Sequence, residues 1–145
     1  GQGNSEVPER VNFGKWVIRN RFFTTRDVNK WGMLYFGSKP TDNVIQTLKQ
    51  FENGLPSLLQ RYGITIKSKP ITLAKPATKD EIEKTLNNAS KDHWQLALIV
   101  LNNTSDNVYD YIKQCGNQRF GLVTQCVSYQ ALERNISKLD MCKMK

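Results

Sequence analysis

The chain has 145 residues, 39% of them hydrophobic and 10% aromatic, which is enough for one domain with a real core and too apolar for a disordered polymer. With 21 Lys and Arg against 13 Asp and Glu, its formal charge is +8. Such an excess favours an anionic partner, whether nucleic acid, a membrane face or a phosphorylated ligand, although a merely soluble basic surface would show it too.

Three cysteines, no Cys-x-x-Cys and a single histidine, His93, argue against a structural metal site. The odd cysteine count fits a reducing compartment, the cytoplasm first and the nucleus second. The longest apolar run, LALIVL (96–101), is far too short to span a bilayer.

In chain order, GQGNSEVPER opens as a flexible lead-in, and 1–29 reads as lead-in and linker ahead of a domain over 30–145. Inside that linker, GKWVIRNRFF (14–23) is extended, with aromatics towards both ends. KWGMLYF (30–36) is short, apolar and closed by Gly37 to Pro40, as a buried strand should be. Helical spacing of Val44, Ile45, Leu48, Phe51, Leu55, Leu58 and Leu59 predicts a helix over 41–62. Thr41 or Asp42 would cap it, and Gly54 with Pro56 predicts a kink or a restart.

ITIKS (64–68) is the next strand, with ITL (71–73) as its extension past Pro70. Residues 78–90 form an exposed helix with Ile82 and Leu86 inward and acids in its first turns. LALIVL is apolar at every position, the pattern of a central parallel strand covered on both faces. A polar loop (102–107), a helix (107–115) closed by Gly116, a strand (120–127) and a helix (136–145) complete the series. Alternating strands and helices imply an α/β fold, Rossmann-like, with a mostly parallel four-stranded sheet and helices on both faces. Ligands of such sheets gather beyond the C-terminal strand ends, so loop 102–107, Tyr109 and the end of the last strand fall in one neighbourhood.

Tyr109 and Lys113 are four residues apart and share a helix face. The ring could stack on a base while the ammonium reaches its phosphate, and the Gln125 amide, at the end of the last strand, could donate beside them. Ordinary packing for Tyr109 and a solvated charge for Lys113 fit the spacing equally well. Cys126 invites a nucleophile reading, but His93 precedes a different strand, and a small residue allowing close backbone approach fits better. No Walker or dinucleotide glycine motif is present. Asp106 and Asp110 flank the proposed site and are expected to point away from it.

The segment NVYDYIKQCGNQRFGLVTQCV (107–127) resembles the Tyr-x-x-[Ile/Val]-Lys helix and Gly-x-x-Thr-Gln-Cys strand of the MID domain of eukaryotic Argonaute proteins. WVIRNRFF (16–23) is similar to the segment leading into that domain, KWGMLYF to its first strand, and LALIVL to the strand before its base-reading loop. The resemblance covers the chain from about residue 12.

It implies a pocket for the 5′-monophosphate of a small guide RNA. Tyr109 would stack on the first base, Lys113 would bind the phosphate, and the Gln125 side chain with the Cys126 backbone would complete the cradle. The base-specificity loop would be Asn102, Asn103, Thr104, Ser105, Asp106 and Asn107. A second phosphate lysine on the last helix would be Lys145, favoured over Lys143.

The loop is one residue longer than the commoner animal version and lacks its Pro-Gly start, so no base preference is implied. The resemblance further implies no catalytic residue, no metal, no cofactor and no membrane. The partners would be the guide RNA and the remaining domains of a parent Argonaute, with this fragment monomeric. The alternatives are a Rossmann-like enzyme acting on a phosphorylated small molecule through Cys126, a protein-interaction domain without a ligand, and a MID domain of the Piwi branch.

Overall fold

Two runs too apolar to tolerate water on either side form the centre of the sheet. The computed structural model describes residues 27–60, 63–119 and 121–144, with side chains as far as Ile136. β1 (Asp27–Val28) pairs in parallel with β3 (Thr65–Ile66) as a small separate ribbon. The main sheet holds β2 (Trp31–Gly37), β4 (Ile71–Lys75), β5 (Leu96–Asn102) and β6 (Val123–Ser128), all parallel, in the order β4-β2-β5-β6. β5 is buried at every position and β2 at every position but its last, as expected of parallel strands with both faces covered. The chain leaves β2 for β4 on one side and returns past β2 to β5 on the other. The C-terminal ends of β2 and β5 therefore bound the topological switch point, the usual ligand crevice of open α/β sheets.

Among the described residues, four helices cover the sheet: α1 (Asp42–Gln60), α2 (Lys79–Lys91), α3 (Asp106–Asn117) and α4 (Tyr129–Met144). Alternation along the strands divides the core. Trp31, Met33, Tyr35, Leu96, Leu98, Val100 and Val127 face α1 and α4. Leu34, Phe36, Ala97, Ile99 and Leu101 face α2 and α3, with Cys126 packed beside them. Phe51, Leu55 and Leu59 of α1 are essentially sealed from solvent, each stabilising the fold by about 1.5–3 kcal/mol on burial. The Thr47 and Tyr129 hydroxyls, 3.2 Å apart, join α1 to α4 inside this layer.

The α/β class, the parallel four-stranded sheet and the two-sided helix cover agree with the sequence reading, and several local expectations need correction. Thr41 Oγ1 accepts from the Val44 amide and caps α1, but the helix runs unbroken through Gly54 and Pro56. Pro56 deprives only the Glu52 carbonyl of its partner, and both residues lie on the half-exposed side, where water can serve it. ITIKS and ITL are not one strand, since β3 joins the ribbon and β4 the main sheet. Gly116 does not end α3 but lies inside it, where a Cβ would stand 2.5 Å from Thr124 Oγ1. Glycine is there because the helix crosses β6 at that point. The last strand begins at Val123, after a turn at Gly121 with φ of 86°. α4 begins at Tyr129, seven residues ahead of the expected start, because Ala131 and Leu132 are core residues. Asp27 and Val28, within the segment read as linker, form β1. The extended stretch 14–23 lies outside the described residues.

Candidate functional site

α3 springs from the switch point directly after β5, with Ser105 at its N-cap in an extended conformation. Ile112 and Cys115 bury its inner face. That register turns Tyr109 outward, 37% exposed, and leaves Lys113 exposed one turn on. The Lys113 Nζ stands 5.7 Å from the centroid of the Tyr109 ring, within cation–π range. Asp106 and Asp110 are exposed on the same helix.

The Lys113 ammonium also acts on β6. Burial pushes the Cys126 thiol up to about 12, and the charge of Lys113 is the opposing influence. Lys113 thus faces the Tyr109 ring, and its charge is felt at the Cys126 thiol on the α2/α3 face of β6. A thiol so raised is protonated at neutral pH, and His93 lies in the turn before β5, at the opposite end of that strand from the crevice. Among the described residues, Cys126 therefore has neither an imidazole beside it nor a lowered pKa to make it a thiolate nucleophile.

Gln125 stands elsewhere than expected. It lies in mid-strand opposite Leu98, not at the strand's end. Alternation sends its side chain with Val123 and Val127 to the α1/α4 face. Tyr109 and Gln125 thus start from opposite faces of the sheet. The run FGLVTQCV misled because its first residues belong to the approach, so the strand begins later and ends later than the apolar letters suggest.

What can join the two faces is the outer rim of β6, which has no neighbouring strand among the described residues. The Val123 amide donates to the Gln95 carbonyl, towards β5. Backbone groups alternate in direction along a strand, so those of Thr124, Cys126 and Ser128 project from the open rim. The Gln125 Nε2 donates to the Thr124 carbonyl at 3.0 Å, folding the side chain back along this rim. Its Oε1 is buried without a hydrogen-bond partner among the described residues. Strand alternation thus turns the Cys126 N–H to the open rim, with the Gln125 carboxamide folded onto the neighbouring Thr124 carbonyl. The candidate site accordingly runs from the crevice to the free edge of β6, rather than lying beyond the strand ends alone.

The loop from Asn102 to Ser105 crosses the switch point. Asn102 is buried, and its Nδ2 donates to the Tyr35 hydroxyl at 2.9 Å while its Oδ1 accepts from Gln130 Nε2 at 3.3 Å. The Tyr35 hydroxyl donates in turn to the Ser38 carbonyl at 2.8 Å. Asn103 adopts φ of 58°, and its Nδ2 donates to Ser38 Oγ at 3.4 Å. Gly37 faces Asn102 across the sheet, and a Cβ on it would lie 2.2 Å from the Asn102 carbonyl oxygen. The sequence reading placed Asn102 in the loop but missed Tyr35 and Gln130. An asparagine closing an otherwise apolar strand, beside a neighbouring strand that holds a tyrosine, was the available signal. Asp106 and Asn107, assigned to the loop, form the first turn of α3. The side chains of Lys143 and Lys145 lie outside the described residues. The groove between β4 and α2, lined by Ile71, Leu73, Lys84 and Trp94, is at the far edge of the sheet and gathers none of these residues.

Comparison with known proteins bears on this arrangement. A family model described as the Mid domain of argonaute matches residues 10–92, a stretch that ends before β5, α3 and β6. None of the curated proteins compared with the chain matches it. Among solved structures, the Arabidopsis thaliana AGO5 MID domain superposes with a TM-score of 0.62 at 19% identity, over 81% of this chain and 85% of that one. The N. crassa QDE-2 AGO MID domain gives 0.59 at 18% identity, over 81% and 94%. Kluyveromyces polysporus Argonaute with a guide RNA gives 0.58 at 22% identity, over 79% of this chain and 14% of that much longer one. At these identities the likeness is one of fold.

Proposed function

The chain belongs to the Argonaute MID-domain family, and from that premise we propose that it binds the 5′-monophosphate and first base of a small guide RNA, anchoring the guide for RNA silencing. The observation that supports this most directly is the pairing of the Lys113 ammonium with the exposed Tyr109 ring, 5.7 Å from its centroid, on the helix that leaves the switch point. A terminal phosphate on that rim would meet the Lys113 ammonium and the outward Cys126 N–H. The Gln125 carboxamide would reach it by releasing the Thr124 carbonyl. The base would lie against Tyr109, displacing the ammonium from the ring towards the phosphate. The second phosphate lysine would be Lys145 rather than Lys143.

The mechanism is anchoring without bond making. Charge-assisted hydrogen bonds to phosphate contribute about 1.5–3 kcal/mol each, and a 5′ hydroxyl forfeits them, which discriminates guide ends. Stacking on Tyr109 adds about 1–3 kcal/mol with little regard to which base is present. The domain would act beside the other domains of an Argonaute. An NMR titration with the four nucleoside 5′-monophosphates and the corresponding nucleosides tests the proposal. Binding of the monophosphates, with shifts at the amides of Lys113, Gln125 and Cys126, is the expected outcome. Equal response to nucleosides and monophosphates would refute it.

A further inference from the structure

The side chains of Tyr35, Asn102 and Gln130 hold the loop that crosses the switch point. Asn102 is the last residue of β5, and both halves of its buried carboxamide are engaged, by Tyr35 of β2 and by Gln130 in the first turn of α4. Tyr35 spends its own proton on the Ser38 carbonyl, tying the turn after β2 into the same network. The next residue, Asn103, is held in the left-handed region at φ of 58°, where asparagine is among the few non-glycine residues tolerated. One strand end is thus fixed from two elements, β2 and α4, immediately before the chain reverses into the left-handed turn. Thr104 and Ser105 are the only loop residues left before α3 begins, so the direction of their backbone groups follows from how Asn102 and Asn103 are set.

We propose that Tyr35, Asn102 and Gln130 are positioning residues for first-base selection: their hydrogen-bond network fixes the course of loop 103–105 and thereby the set of donors and acceptors offered to the base, with no part in holding the phosphate. This rests on the guide-end reading above. All three side chains lie on the α1/α4 side of the sheet or at its rim, whereas Tyr109 and Lys113 lie on the α2/α3 side, so the network and the stacking platform can be perturbed separately.

The test uses Tyr35→Phe, which removes one hydroxyl, and Gln130→Ala, which changes an exposed side chain and keeps the experiment informative if the first variant folds poorly. Each variant is titrated with the four nucleoside 5′-monophosphates and with ribose 5-phosphate. The spread in Kd between the best and the worst base should shrink by about threefold or more, while ribose 5-phosphate binds within about twofold of the wild type. Amide hydrogen exchange at residues 103–105, measured without ligand, should quicken by about tenfold. An unchanged spread, a wild type with no spread, or an equal loss for ribose 5-phosphate and for every base would overturn the proposal. Failure of ribose 5-phosphate to bind the wild type would strike the guide-end reading itself, and base selection by the network with it. Quickened exchange in that case would show only that the network orders the loop.

Discussion

Replacing Lys113 with alanine separates phosphate recognition from every other property of the domain. The side chain is exposed and meets the rest of the molecule through its ammonium, 5.7 Å from the Tyr109 centroid. An exposed cation–π contact contributes about 0.5–1 kcal/mol, so the urea midpoint should move little. A charge-assisted bond to phosphate contributes about 1.5–3 kcal/mol, and at 1.36 kcal/mol per decade its loss weakens monophosphate binding by about 10- to 150-fold. Nucleosides should not lose affinity, because the ammonium no longer competes for the ring. Isothermal titration of the wild type, Lys113→Ala and Lys113→Arg with one nucleotide and its nucleoside reads both quantities, and Arg should recover part of the loss through its retained charge. A monophosphate Kd within about twofold of the wild type for Lys113→Ala, in a variant of unaltered stability, would refute the assignment of this lysine to a phosphate.

Tyr109→Ala should cost the monophosphates about 1–3 kcal/mol of stacking and leave ribose 5-phosphate unaffected, as the same titration would read. Gly116→Val should destabilise the domain by about 1–3 kcal/mol through overpacking against Thr124, with partial rescue by Thr124→Ala in urea denaturation. The Cys126 thiol is raised from 9.0 to about 12 in the fold. Its contribution to stability is therefore complete below pH 9 and lost as pH rises from there towards 12, because the unfolded chain sheds the proton first. Stability in that window should fall less steeply in Cys126→Ser than in the wild type, and a thiol reagent at pH 8 should modify folded Cys126 far more slowly than a free thiol.

The parts of the fold that were legible are those where one letter pattern has one physical solution. LALIVL can only be a strand with both faces covered, and KWGMLYF only its neighbour. Tyr109 and Lys113 were legible as a pair because helical spacing sets their separation without knowledge of the rest. Gln125 was misplaced because register depends on where pairing starts, and Gly121, at φ of 86°, delays that start to Val123. Gly116 looked like a helix end because a glycine chosen for lack of volume and one chosen for backbone freedom are the same letter. Pro56 looked like a break because the sequence does not state which side of the helix faces water. The network around Asn102 joins residues 67 apart, beyond the reach of any local pattern.

The sheet is lopsided. β4 exposes residues on both of its faces, with Ile71 open to solvent, while β5 is buried at every position. Its hold on the molecule is one ladder to β2 and little side-chain cover, so the cheapest opening of this domain is to peel β4 away and leave the β2–β5–β6 half intact. Thermal fraying should thus begin at the margin remote from Tyr109, and the geometry there can persist while the opposite flank breathes.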